Sequence, residues 1–430
     1  MDNGRLFGTK SVALAAALAT TVALPAFGQD VTITLWHHFT PDIEKAAIEA
    51  AALRFQEANP GVTIEITVVG SSDMAAKTSA AMQANEPPDI FSGWGGGGLA
   101  AFADAGLVQD ITDAVMLDGW GDRFVAGPLA LYTLDGRIFG VPLRAGAWGL
   151  WVDKELTASA GIDDCPATWS DFLADVQTLK DAGIVPMALG GQAQFVSAGF
   201  YQYLAMRVAS WEQASGTARL VDRTGSFADE PFVRAGDMIA ELVALEPFQP
   251  GYQGAPYDQQ LSVAGNGGAA MSFDGWWGGV WIPDASTDPE AARARIGFCP
   301  FPELEGGAGV PGTTMGSGNG FSVGRDAPPE AVEFLRFLTS DAEYNLLVEA
   351  RFAMPPVIVG SEALITDPNA LAVIELGATT PHFAQEWNQA LGPMFGTVIK
   401  EQAAALTTGV TTGEAAALAI EEAALRAAAQ

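Results

Sequence analysis

Val31-Thr-Ile-Thr-Leu35 and Val62-Thr-Ile-Glu-Ile-Thr-Val-Val69 are the two stretches whose reading decides the fold. Each alternates branched apolar residues with polar ones, the period of a half-buried strand. Between them Thr40 reads as a helix cap with Pro41 at the first helical position. Ile43, Ala47, Ala50 and Leu53 give that helix an apolar side, and Asn59-Pro60-Gly61 ends it. A strand, a helix and a second strand in this order begin a mostly parallel sheet.

The α/β alternation continues outward from there. Pro88-Asp-Ile-Phe91 reads as a short strand before Gly93-Trp94-Gly95-Gly-Gly-Gly98, and a helix from Leu99 to Ala105 stops at Gly106. Arg137–Leu143, Gly149–Val152, Ala269–Phe273 and Arg295–Phe298 read as strands. Thr168-Trp-Ser-Asp171 is a capping-box start to a helix through Lys180, and residues 198–213 and 229–246 are helical in pattern. Ser340-Asp-Ala-Glu343 and Thr411-Thr-Gly-Glu414 are capping boxes for late helices, the last of them an Ala-rich packed helix over Glu414–Ala429. Gly306–Gly320 is the most glycine-rich stretch. Strands on both sides of a long helical middle permit two α/β lobes, each visited more than once.

Composition bounds the function. The chain has 430 residues, 21 Lys+Arg against 51 Asp+Glu, and a formal charge of -30. Such a chain does not bind phosphate backbones, which need clustered Lys and Arg, so nucleic acid is excluded as a partner. It does not cling to anionic membranes either. A cationic ligand stays open. With 49% apolar and only 17% charged residues it folds into cores rather than staying disordered.

Residues 1–28 read as a secretory signal peptide. Arg5 and Lys10 precede a mostly apolar run from Ser11 to Leu24, Pro25 breaks it, and Ala26-Phe27-Gly28 supplies small residues for cleavage. The mature chain is expected to start at Gln29 and to be soluble in the periplasm. An oxidising compartment permits Cys165 and Cys299 to form a disulfide, or they stay as two separately buried thiols. They are too far apart for a metal motif.

Few motifs suggest bond-breaking chemistry. Gly95-Gly96-Gly97-Gly98-Leu99-Ala100 matches the loose dinucleotide fingerprint, with Asp118 about 20 residues on. Four consecutive glycines satisfy many patterns, however, and the intervening Leu107–Thr112 is short and polar-interrupted. A loop exposing backbone N–H groups at a helix start is the better reading. His37-His38 invites a metal, but the only other histidine is His382, and zinc needs three or four ligands. No metal or other cofactor is therefore expected. There is no H-E-x-x-H or Walker motif.

The aromatic residues are more telling. Trp36, Trp94, Trp120, Trp148, Trp276 and Trp277 abut glycines or turns rather than lying in apolar runs. Asp274-Gly-Trp-Trp-Gly-Gly279 follows a strand and holds two indoles in a glycine frame. Flat rings suit the C–H faces of a carbohydrate, and Asp, Asn, Gln and Arg suit its hydroxyls.

These residues, taken in order, resemble the extracellular solute-binding proteins of family 1, the carbohydrate-binding components of ABC importers. The resemblance runs through Ile33-Thr-Leu-Trp36, Phe55-Gln-Glu-Ala-Asn-Pro-Gly-Val-Thr-Ile64, Pro88-Asp-Ile-Phe91 and Asp104-Ala-Gly-Leu107. It continues through Gly136-Arg-Ile-Phe-Gly-Val-Pro142, Leu150-Trp-Val-Asp-Lys-Glu-Leu156 and Pro166-Ala-Thr-Trp-Ser-Asp-Phe172. Ala269-Ala-Met271 with Gly275-Trp276, Gly297-Phe-Cys-Pro-Phe-Pro302, Gly320-Phe-Ser-Val-Gly324 and Glu330–Ser340 complete it. Val152-Asp153-Lys154 departs from the family's usual Tyr-Asn-Lys, and Cys299 replaces a typical aromatic residue.

The resemblance implies a two-lobed α/β periplasmic-binding-protein fold with crossing hinge segments and ligand held in the cleft. Lobe one would take 30–139 and 300–345, and lobe two 140–299 and 346–430. The hinge would lie near Gly140–Gly146 and Pro300–Pro302. The family's site positions fall here on Trp36, His37, His38, Trp94, Arg144, Trp148, Asp274, Trp276, Trp277, Gly318 and Asn319. It further implies a monomer that binds a sugar or oligosaccharide by hinge closure, catalyses nothing, and delivers its ligand to a membrane permease. Two rivals stand beside it: a binder of a cationic solute such as a polyamine, and a secreted glycoside-active enzyme. Iron is disfavoured by the presence of only six Tyr.

Overall fold

The computed structural model describes Met1, residues 30–219 and residues 222–429, so the expected export signal, Met1 apart, lies outside the described residues. In chain order the main strands are β1 (Val31–His37), β2 (Val62–Val68), β3 (Ile90–Gly93), β4 (Gly140–Ala147) and β5 (Gly149–Asp153). β6 (Met187–Ala188), β7 (Met271–Asp274), β8 (Ile296–Cys299), β9 (Thr314–Val323) and β10 (Phe383–Gln385) follow. They form two sheets. The first runs β10-β9-β3-β1-β2, with β4 also paired to β9, and the second runs β8-β5-β7-β6.

The alternation in β1 and β2 becomes a parallel pair, Val31 beside Val62 through His37 beside Val68. Ile33 and Leu35 point into the core and Thr32 and Thr34 away from it. The helix between them spans Asp42–Ala58. It starts one residue later than the sequence suggests: Pro41, not Thr40, is the cap residue, and no side chain closes that end. Its far end is as expected, with Asn59 Nδ2 donating to the Phe55 carbonyl at 2.8 Å and Gly61 at φ +97° turning the chain into β2. β9 enters the first sheet antiparallel to β3 and β4, and the second sheet joins β8 to β5 and β5 to β7 antiparallel. Parallel pairing is thus confined to part of each sheet.

Two other expectations shift. The helical stretch at 198–213 is two helices, Gln194–Val208 and Trp211–Thr217, because Ser210 caps the second by accepting from Gln213 N–H at 3.2 Å. The last helix, Gly413–Ala428, is capped by Thr412 rather than Thr411. The end of the glycine-rich stretch is β9, buried along its whole length. A side chain at Gly316 would lie 2.3 Å from the Gly146 carbonyl oxygen of β4, so the glycine serves close strand approach.

Each sheet has its own core. Ile33, Leu35, Phe39, Ile48, Val141, Leu143, Phe321, Phe334 and Phe352 pack around the first. Trp148, Leu150, Phe172, Phe200, Tyr203, Phe273, Phe301 and Phe395 pack around the second. The chain crosses between the lobes at Trp148, the single residue separating β4 from β5. β9 spans both, with Met315 in the second core and Phe321 and Val323 in the first. β4 and the segment holding Phe352, Val357, Ile358 and Ile365 lie on the first sheet and core, although the sequence division put both in lobe two.

Cys165 and Cys299 are joined, their Cα atoms 5.6 Å apart. The bridge ties the loop before helix Trp169–Asp181 to β8 and closes a loop of 134 residues. Chain-entropy arguments give a loop of that size about 5 kcal/mol of stabilisation. Among the described residues no helix is long and apolar enough to cross a membrane.

Candidate functional site

The C-terminal end of β1 delivers His37 and His38 to the junction between the lobes. His37 is fully buried, and its Nδ1 accepts the Phe39 N–H at 3.2 Å. An Nδ1 that accepts leaves the proton of a neutral ring on Nε2. That Nε2 is buried and has no hydrogen-bond partner. Burial pushes the His37 pKa down to about 4, against the pull of the Glu44 carboxylate and with the push of Lys45. His38 is held by Ser92: its N–H donates to the hydroxyl at 3.1 Å and its Nδ1 lies 2.7 Å from the same oxygen. Its ring stacks on Trp94 at 4.6 Å. Burial, then the charge of Arg144, pushes His38 well below the usual histidine range. Trp36 lies on the opposite face of β1 from His37, with the Lys77 ammonium 4.5 Å from its ring centroid. Trp36 and Trp94 both pack on a satellite core that includes Val69, Met74, Phe91 and Leu99.

Arg144 on β4 is the centre of a second group. Its guanidinium makes a paired contact with Glu44, at 2.8 and 2.9 Å, from the first turn of helix Asp42–Ala58. It also donates to the Phe352 carbonyl at 2.9 Å and to Asn319 Oδ1 at 3.3 Å. The rings of Phe39, Phe352 and Trp276 surround it at 4.7 to 5.0 Å. Gly318, next to Asn319, pairs with Ala145 and contributes backbone only. Two indoles cross to this group from the second lobe. Trp281 Nε1 donates to Glu44 Oε1 at 2.8 Å, and Trp276 Nε1 donates to the Ser317 carbonyl at 3.1 Å. The lobes therefore touch directly.

The third group lies on the second lobe. Trp148 is fully buried and donates to Glu386 Oε1 at 3.1 Å. Trp277 meets Trp148 edge to face at 5.1 Å and Trp276 at 5.4 Å. Phe195, Tyr257, Trp277 and Trp281 are all half-buried and in mutual ring contact. Asp274 is fully buried beneath them and accepts from Tyr257 and from the Gly275 N–H. Burial pushes the pKa of Asp274 and of Glu386 up to about 7, despite the hydrogen bonds each receives. On the far side of the junction Gln385 Nε2 reaches the Trp94 carbonyl at 3.4 Å. A cavity of about 180 Å³ lies beside Gln385, lined also by Trp211, Phe383 and Trp387.

The residues singled out from the sequence thus gather in three touching groups. Gly318 offers no side chain, and Asp274 and Trp148 are wholly enclosed. Five participants escaped the sequence reading: Glu44, Phe195, Tyr257, Trp281 and Glu386. Trp281 had a signal, since it falls one helical turn after Trp277. Glu44 and Glu386 had none among 51 acidic residues.

Two lobes on separate sheets, chain crossings between them, and rings and buried polar groups where they meet define the architecture of a two-lobed solute-binding protein. Residues 40–345 match the family described as bacterial extracellular solute-binding protein, and the chain belongs to that family. It is 30% identical over 152 residues to a putative binding protein of Brucella abortus, a stretch that is 35% of this chain and only 36% of that protein. It is 26% identical over 274 residues to a probable sugar-binding periplasmic protein of Mesorhizobium japonicum, covering 62% of this chain and 64% of that one. A solved structure from work on xylan utilization by the thermophilic bacterium Caldanaerobius polysaccharolyticus has a TM-score of 0.83 at 25% identity, covering 91% of this chain and 99% of that one.

Proposed function

We propose that this protein is an exported, periplasmic binding protein that captures a sugar or oligosaccharide between its lobes and hands it to the permease of an ABC importer. The observation that carries the reading is the half-buried wall of Phe195, Tyr257, Trp277 and Trp281 at the lobe junction. Flat rings at a wet boundary suit a pyranose face. Hydrogen-bonding groups adjoin the wall, Glu44 against Trp281 and Asp274 against Tyr257, and the Nε2 of His37 in the other lobe has no hydrogen-bond partner. The family and the sugar-binding name of the Mesorhizobium relative support the same class. As part of the proposal, lobe one takes residues 30–147 and 316–365, and lobe two takes 148–299 and 386–429. Binding acts through closure: a ligand shifts the lobes only by its differential affinity for the closed state.

The test is a thermal-shift and calorimetric screen of the mature protein against mono- and oligosaccharides and against polyamines. A sugar is expected to raise the melting temperature, and Trp277→Ala is expected to weaken its binding severalfold or more. A large shift with spermidine and none with any sugar would move the protein to the cationic class. Appearance of a hydrolysis product from any oligosaccharide would overturn the transport reading.

A further inference from the structure

Asp274 looks from the sequence like a ligand contact, but its side chain has no exposed surface with which to meet one. Its oxygens are already engaged. The Tyr257 hydroxyl lies 2.8 Å from Oδ1 and 2.7 Å from Oδ2, and the Gly275 N–H donates to Oδ1 at 3.0 Å. Tyr257 has a single hydroxyl proton, and an ionised carboxylate is an acceptor only. The proton therefore points at Asp274, and the hydroxyl lone pairs face the other way. What they face is Trp277, whose Nε1–H donates to the Tyr257 oxygen at 2.6 Å.

Other contacts fix the same indole. Trp277 folds back over Gly275 so closely that a side chain there would stand 2.3 Å from its Cζ3. Trp148 and Trp276 flank it, both nearly perpendicular to it. One edge of the ring is thus anchored by a directed hydrogen bond, one side is backed by bare backbone, and part of the ring stays exposed.

We propose that Asp274 is a positioning residue that orients the Tyr257 hydroxyl and, through it, locks the plane of Trp277 before any ligand arrives. The chain Trp277 N–H to Tyr257 O–H to Asp274 carboxylate acts as one unit. Asp274 sets its direction, Tyr257 transmits it, and Trp277 presents the result. The proposal rests on the sugar-binding reading only for its affinity arm. Preorganisation of this kind raises affinity by removing the cost of ordering a ring on binding. The charged groups that bear on the chain are Asp258, which acts on Tyr257, and Glu386, which acts on Asp274. No cation is among the causes that shift either group, so adding a proton to Asp274 weakens the pull that aligns the hydroxyl.

The test is NMR of the ligand-free protein with 15N-labelled indoles, the Trp277 resonance being assigned by Trp277→Phe. The Trp277 Nε1–H is expected to exchange slowly with solvent and to shift as the pH crosses neutrality. Asp274→Asn is expected to abolish that pH response, and both it and Tyr257→Phe to speed the exchange. With any sugar found by screening, each of these variants should weaken binding severalfold, the double variant should be no worse than either, and neither should matter once Trp277 is Ala. Should Asp274→Asn fail to fold, Tyr257→Phe carries both arms. An unchanged indole resonance in Tyr257→Phe, or losses that persist in the Trp277→Ala background, would overturn the proposal. If no sugar binds at all, the sugar-binding reading falls while the indole resonance still decides this one.

Discussion

Glu386 is a carboxylate with 1% of its surface exposed, held by an indole N–H and an amide rather than by a cation. Burial raises its pKa from 4.5 to about 7. Between those values the folded state holds a proton that the unfolded state has released, so stability falls as pH rises through this window. At 1.36 kcal/mol for each pKa unit, the loss from this residue is about 3 kcal/mol. Glu386→Gln keeps the shape and the acceptor for Trp148 but cannot ionise. Urea denaturation should therefore find the variant gaining on the wild type from pH 5 to pH 8, and parallel curves would refute the assignment. His37 works in the opposite sense. Its folded pKa lies below the unfolded value of 6.5, so its contribution is present above that value and is lost as pH falls toward about 4. At this scale the sequence was uneven. Indoles beside glycines stood out because a large apolar ring at a turn is unusual. Glu44 and Glu386 did not, because burial, which makes them distinctive, is a property of the fold.

Elements explain why some residues could be read and others not. β1 and β2 were legible because one face of each is buried, and burial on one face writes a period of two. β9 was not, because it is buried on both faces and its glycines answer to the backbone of β4. The inward face of the first turn of helix Asp42–Ala58 was equally hidden. Its Glu44 is turned inward to meet Arg144, a partner 100 residues away. That pair is enclosed, at 1% and 2% exposure. Removing one member of a buried pair strands the other charge, at a cost of about 3–5 kcal/mol. Glu44→Ala is therefore expected to lower stability by about that amount, read by chemical denaturation. Glu44→Gln, which keeps an acceptor for both Arg144 and Trp281, should lose less. Equal stability of the alanine variant and the wild type would show that Asn319 and the Phe352 carbonyl satisfy Arg144 unaided.

At the scale of the molecule, the two lobes meet through directed hydrogen bonds. Trp281 donates to Glu44 and Trp276 to the Ser317 carbonyl, and both bonds cross from the second lobe to the first. A hydrogen bond to a charged acceptor contributes about 1.5–3 kcal/mol. If the Trp281 bond forms only when the lobes are together, its loss changes the ratio of closed to open forms about tenfold or more. Apparent affinity is the intrinsic affinity scaled by the fraction competent to bind, so the bond also tunes binding without contacting the ligand. Trp281→Phe keeps the ring and removes the donor. In small-angle scattering the ligand-free variant should have a larger radius of gyration than the ligand-free wild type. Once a sugar saturates both, the two radii should coincide, because the ligand's own contacts then hold the lobes. Identical radii without ligand would mean that Trp276 and the chain crossings hold the lobes together by themselves. In that case Trp281 would belong to the binding wall alone, and its variant should lose affinity with no change in shape.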